Sequence, residues 1–305
     1  MTVSAAVVKE LRERTGAGMM ECKKALQETN GNIESAIELM RKSGQAKAAK
    51  KSGRIAAEGI IVIQANADNT IMALVEVNCE TDFVAKDENF RNFAESVAIV
   101  ALNNVNTTVE TLLASPINSN TSTTIQETLE ALIMKLGENI RVRRYERLVA
   151  SAGHLFSYRH GTRIGVVVEV AGGDDILGKD LSLHIAASNP LCIHSDQVPA
   201  TSIAKEREIF MAQAVMEAEK EGSGKPQHVI SMIIEKKVEG RIRKFLSEVT
   251  LLGQLFVKEQ KINIEKLLQQ HQATVHQFRR LEVGEGLEKK KEDFAAEVAA
   301  QAKLV

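Results

Sequence analysis

Two β-type runs 93 positions apart constrain this chain more than any other feature. Val75-Glu76-Val77 and Val168-Glu169-Val170 superpose without a gap, and the same shift brings Asp82 onto Asp175, Lys86 onto Lys179, Asp87 onto Asp180 and Ala94 onto Ala187. Each run is the second strand of a hairpin pattern. Gly59-Ile60-Ile61-Val62-Ile63 and the run from Ile71 to Val77 flank a polar turn at 65–69, while Leu155–Tyr158 and Ile164–Val170 flank His160-Gly161-Thr162. Each hairpin leads into a segment with helical spacing. The expectation is an α+β fold whose core is two repeated hairpin-plus-helix subdomains.

The rest of the chain is arranged around them. Residues 1–55 read as three short helices: Val7, Val8 and Leu11 on the first, Met19, Cys22, Ala25 and Leu26 on the second, and Ile33, Ala36, Ile37 and Met40 on the third. Ser4 and Asn32 are cap residues and Gly44 a stop. Thr124–Leu136 resumes helical spacing after a polar loop. A helical hairpin follows Asn189-Pro190, with one arm at about 202–221, a turn at Gly222–Pro226 and an apolar stripe from Ile230 to Phe245. Val275–Val283 reads as a strand, and a last helix carries Phe294 and Val298. The expected division is 1–55, 56–142, 143–264 with a hairpin insertion at about 190–238, and 265–305.

Cys22, Cys79 and Cys192 are odd in number and far apart, which fits reduced thiols and a cytoplasmic protein. No membrane-length apolar run interrupts the chain. No cofactor motif, metal-ligand spacing or nucleophile elbow is present, so the chain is read as a binding protein and not an enzyme. With 39 basic against 40 acidic residues, a nucleic-acid-coating role is not expected. One local exception is the stretch 41–54, where Arg41, Lys42, Lys47, Lys50, Lys51 and Arg54 occur without an acid among them. It supports the competing reading, an RNA- or ribosome-binding factor.

The candidate working end is Asn78–Lys86, on the strand-to-helix turn of the first hairpin unit. Phe83 has two readings there: a core residue tucked under the following helix, or an aromatic presented to a partner. The repeat bears on the choice, because Phe83 aligns with Ile176 and Val84 with Leu177, so only the first copy places an aromatic in the turn. Glu80 and Asp82 alone are a poor cation site. Met20, beside the Gly-rich turn of the first bundle, either caps that bundle or faces a partner.

Several longer segments carry a resemblance: LRERTGAGMMECKKAL at 11–26, RIAAEG at 54–59, EVNCETDFVAK at 76–86, SYRHGTRIGV at 157–166, EGRIRKFLSEV at 239–249 and VGEGLEKKKEDFAAEVAAQ at 283–301. They resemble the bacterial elongation factor Ts family, guanine nucleotide exchange factors of elongation factor Tu. The resemblance implies a ubiquitin-associated-like bundle, a two-subdomain core, a helical hairpin and a C-terminal module. It also implies that Thr81, Asp82, Phe83 and Val84 intrude beside the partner's switch region and dislodge its Mg²⁺, whether that partner is met GDP-bound or held nucleotide-free. Arg12, Met19 and Met20 would dock the partner's nucleotide-binding domain, and Tyr158 and His160 another partner domain. Self-association through the helical hairpin stays open. Leu255, in GQLFV, stands where the family pattern has Pro.

Overall fold

The computed structural model describes residues 3–105, 108–221 and 226–287, with the backbone alone for Lys220, Glu221 and Gln227. The turn expected at Gly222–Pro226, apart from Pro226, and the helix expected around Phe294 and Val298 lie outside the described residues. The chain is a mixed α+β protein that divides into two units. The first comprises the residues to Val149, then 159–165 and those from Leu281; the second comprises 150–158 and 166–280.

The first unit opens with α1 (Ala5–Thr15), α2 (Met19–Glu28) and α3 (Ile33–Lys51). Ser4 caps α1 by accepting from Val7 N, Asn32 caps α3 by accepting from Ser35 N, and Gly16 ends α1 in the left-handed conformation. Val8, Leu11, Cys22, Ala25, Leu26, Ala36 and Met40 are buried together, as the periodicity required. Met19 departs from it. As the first residue of α2 it lies beyond the stripe of Cys22, Ala25 and Leu26 that fills this small core, and it is 55% exposed.

Gly44 does not stop α3, which continues to Lys51. The strand β1 (Glu58–Ala65) follows, then β2 (Ile71–Cys79), α4 (Asp82–Lys86), α5 (Glu88–Asn103), α6 (Val109–Leu113), α7 (Ile125–Leu136) and β3 (Arg141–Val149). Gly44 faces α7, where a Cβ would meet Met134 Sδ at 3.7 Å, an ordinary contact distance, so this interior position of α3 has room for a methyl group. Most of the basic residues along the second half of α3 and just after it have partners. Arg41 bonds Glu127, Lys47 bonds Glu21 and Lys51 bonds the Gly137 carbonyl, while Lys42 reaches Glu38 at 2.9 Å and Arg54 reaches Glu80 at 3.5 Å.

Strands β1, β2 and β3 form an antiparallel sheet in that order, with Val62 opposite Val75 and Val75 opposite Tyr145. Phe90, Phe93, Ala94 and Val97 of α5 join Ile60, Val62, Val75 and Val77 in its core. β3 was not expected. Arg141, Arg143, Arg144 and Arg147 obscure its alternation, and the ladder is shifted by a bulge at Glu76/Val77. The expected division at 142/143 falls within this strand. Two of its arginines serve the fold directly. Arg143 and Arg144 bond the fully buried Glu76 at 3.0 and 2.6 Å, and Gly284 N donates to it at 2.8 Å. Burial pushes the Glu76 carboxyl up, but these donors outweigh it and hold the group below its ordinary value.

The second unit holds most or all of β4 (His154–His160), β5 (Ile164–Ala171), α8 (Asp175–Ser188), α9 (Ala200–Glu221), α10 (Gln227–Val249), β6 (Leu255–Phe256), β7 (Glu259–Asn263), α11 (Ile264–Gln270) and β8 (Thr274–Glu282). Its sheet order is β4-β5-β8. Ala214, Val238 and Ile242 are buried between the arms α9 and α10, and the second arm, expected through Phe245, continues to Val249. Leu255 does not disturb its segment: it starts β6 opposite Asn263 and is exposed. Glu169, which aligns with Glu76 in the sequence, is fully buried too. It accepts from Ser151 N, Ala152 N and Gly153 N at 2.6, 2.7 and 3.1 Å, and from Gln277 Nε2 at 2.7 Å. Among the described residues no helix is long and apolar enough to cross a membrane.

Candidate functional site

The segment singled out in the sequence becomes the end of β2 and the one-turn helix α4. Thr81 is extended and caps α4, its hydroxyl accepting from Val84 N at 3.3 Å. Five residues complete little more than one turn, which divides the side chains sharply. Ala85 is buried and Val84 is half-buried against the sheet core, while Asp82, Phe83 and Lys86 face outward. Asp87 then ends α4 and caps α5, accepting from Asn89 N at 2.8 Å.

Phe83 is 80% exposed, so of its two readings the core residue is excluded. Lys86 lies beside it, its Nζ 6.0 Å from the ring centroid, and also bonds Asp82 at 2.6 Å. That bond comes first in holding the Asp82 carboxyl below its ordinary value. Glu80 turns the other way and accepts from Asn139 N at 2.6 Å. The two acids therefore have separate partners. Among the described residues no group of three or more His, Cys, Asp or Glu is placed to hold a metal ion.

The position that aligns with Phe83 is outward as well. Ile176 is not an aliphatic core filler: it is 68% exposed in the first turn of α8, while its neighbour Leu177 is buried. An outward position tolerates an aliphatic residue as readily as an aromatic one. Copy one differs in another way, because Asp87 breaks its helix after α4, whereas the equivalent Asp180 lies inside the continuous α8.

Of the docking candidates, Arg12 is exposed on α1, and Met20 on α2 is 73% exposed, so it does not cap the bundle. Tyr158 is half-buried and His160 exposed, both on β4. One group beside the site was missed in the sequence. Glu138 follows the helix-ending Gly137 and bonds the backbone of the Glu80–Thr81 corner. The Gly signalled only the end of α7; nothing local reports a contact 57 residues away.

Comparison with known proteins then gives the class. A family model described as Elongation factor TS matches residues 80–285, which places the chain among translation elongation factors. The chain is 59% identical over 304 residues to elongation factor Ts of Thioalkalivibrio sulfidiphilus, covering 99% of both chains. It is 56% identical to elongation factor Ts of Methylococcus capsulatus, with 99% of both covered, and 52% identical to that of Legionella pneumophila strain Paris, with 98% of both covered. The chain belongs to the elongation factor Ts family.

Proposed function

We propose that this chain is the cytoplasmic guanine nucleotide exchange factor of elongation factor Tu, and that it promotes GDP release by displacing the partner's nucleotide-bound Mg²⁺. The observation that carries the reading is Phe83, a large apolar ring held in solvent on a capped, one-turn helix within a segment similar to the family's. Exposing such a ring has no folding advantage, whereas insertion beside the partner's switch region removes it from water. Asp82 orients the segment, Val84 anchors it to the sheet and Thr81 caps it. Once the metal is lost, the diphosphate charge is uncompensated and GDP leaves faster. Linkage requires the converse: nucleotide weakens the grip of this chain on its partner by the same factor.

Arg12, Met19 and Met20 dock the partner's nucleotide-binding domain, and Tyr158 and His160 meet another of its domains. The bundle is read as ubiquitin-associated-like, and the two hairpin-plus-helix segments as copies of one unit, supported by the equivalent buried acids Glu76 and Glu169. Self-association through α9 and α10 stays open, with Ile209, Met216 and Met232 exposed on the arms. The RNA-binding alternative is disfavoured by the internal partners of Arg41, Lys42, Lys47, Lys51 and Arg54. The test is release of fluorescent GDP from elongation factor Tu with and without this protein, at low and high Mg²⁺. Acceleration that shrinks as Mg²⁺ rises is expected; an unchanged release rate refutes the proposal.

A further inference from the structure

We propose that Glu138 is a positioning residue for nucleotide exchange, holding the one-turn helix α4 in the orientation in which Phe83 meets the partner. This deepens the exchange reading above and rests on it. The carboxylate of Glu138 grips the corner just before α4. One oxygen accepts from Glu80 N and Thr81 N, each at 3.0 Å, and the other accepts from the Thr81 hydroxyl at 2.6 Å. That hydroxyl in turn accepts from Val84 N, so a continuous chain of bonds runs from Glu138 through Thr81 into the turn that carries Phe83.

The grip is reciprocal. Asn139 N donates to Glu80 Oε1 at 2.6 Å, and the buried Asn139 side chain donates to the Arg54 carbonyl at 2.7 Å. From the other side, the Cys79 thiol donates to the Thr81 carbonyl at 3.1 Å. Burial, and then the nearby Glu138 and Glu58 charges, push that thiol up to about 12, which keeps its proton in place for donation.

These bonds do little to bury Phe83, which stays in solvent. Their effect falls on direction. A five-residue helix has too few internal bonds to hold its own orientation. Val84 and Ala85 fix its underside, and the Glu138 clamp fixes the entering backbone. Without the clamp the ring still reaches a partner but must be ordered during the encounter, and a small misplacement of a working group costs up to about 100-fold in rate.

The experiment uses the full chain with elongation factor Tu bearing fluorescent GDP, and it compares Glu138→Ala, Glu138→Gln, Thr81→Val, Phe83→Ala and the Glu138→Ala/Phe83→Ala pair. Release is followed over rising exchange-factor concentration to separate the saturating rate from the half-saturating concentration. Glu138→Ala is expected to lower the saturating rate about 10- to 100-fold with the half-saturating concentration little changed. Glu138→Gln restores most of it, since the amide oxygen still accepts from both backbone N–H groups and its NH₂ donates to the hydroxyl. In the Phe83→Ala background the further loss of Glu138 changes nothing. Where a denaturant melt finds Glu138→Ala unfolded, Thr81→Val, which cuts the same chain of bonds, is read instead and must slow release. A wild-type saturating rate for the clamp variants overturns the proposal, as does an equal cost of Glu138→Ala with and without Phe83. Slow release by Phe83→Ala alone sinks only the role of Glu138, whereas wild-type release by Phe83→Ala sinks the exchange reading beneath it.

Discussion

Phe83→Ala weighs the presentation of this ring against its burial. A fully buried phenylalanine truncated to alanine costs about 3–5 kcal/mol. With the residue 80% exposed, about a fifth is covered, and the free protein is expected to lose only about 0.5 kcal/mol. Transferred into a partner's pocket, the same ring is worth about 1.5–3 kcal/mol, which is about a 10- to 150-fold slower exchange step. Stopped-flow release of fluorescent GDP from elongation factor Tu, at saturating exchange factor, reads the second quantity; a denaturant melt reads the first. Two variants bracket the result. Phe90→Ala, in the sheet core at 0% exposure, should cost the full 3–5 kcal/mol of stability. Ile176→Ala, outward on the second copy, should leave stability within about 0.5 kcal/mol. A melt for Phe83→Ala that matches Phe90→Ala, or release at the unmodified rate, would refute the reasoning.

Three other outcomes are expected. Glu169 is held at about 2, since its hydrogen-bond donors outweigh the burial that pushes it up. A depressed carboxylate contributes stability that is full above about 4.5 and is lost as pH falls toward about 2, at most about 3 kcal/mol, so acid titration of Glu169→Gln should lack this part of the transition. Gly44→Ala should stabilise the chain by about 0.5–1 kcal/mol, since its Cβ would meet Met134 at ordinary contact distance in a helix interior, while Gly178→Ala should destabilise it by about 1–3 kcal/mol because its Cβ would lie 2.3 Å from the Phe156 ring. Thermal melts of both decide the pair. Anisotropy titration with generic RNA at physiological salt should detect only weak association, and tight binding abolished by neutralising Lys47, Lys50 and Lys51 would reverse the choice of function.

The sequence was most legible where a pattern persisted for several turns or a whole strand. Val8 and Leu11, the runs through Ile60 and Val75, and the Phe90–Val97 stripe of α5 announced their burial by spacing alone. It was least legible where one residue type serves two purposes. Gly44 reads as a helix stop, and only the continuation of α3 to Lys51 shows it to be an interior position. The arginines of β3 look like solvent residues until Glu76, 67 and 68 positions earlier, is found beneath two of them. At the candidate site the segment was legible but its geometry was not. α4 is too short for periodicity to tell Phe83 from Val84, and the grip of Glu138 on Thr81 crosses a distance that no local pattern spans.

The two buried glutamates also bear on how the chain is made. Glu76 is completed by a donor from Gly284, 208 residues later, and Glu169 by one from Gln277, 108 residues later. At about 5–20 residues per second, a ribosome needs about 10–40 s to travel from the first of these glutamates to its last partner. Through that interval Glu76 has its two arginines and Glu169 its three backbone donors, but each buried carboxylate lacks its last hydrogen bond. Translation of the C-terminal stretch therefore supplies the last hydrogen bond to both acids. A nascent chain arrested with residue 277 still enclosed by the ribosome should lack the last donor at both glutamates, and the released chain should have both.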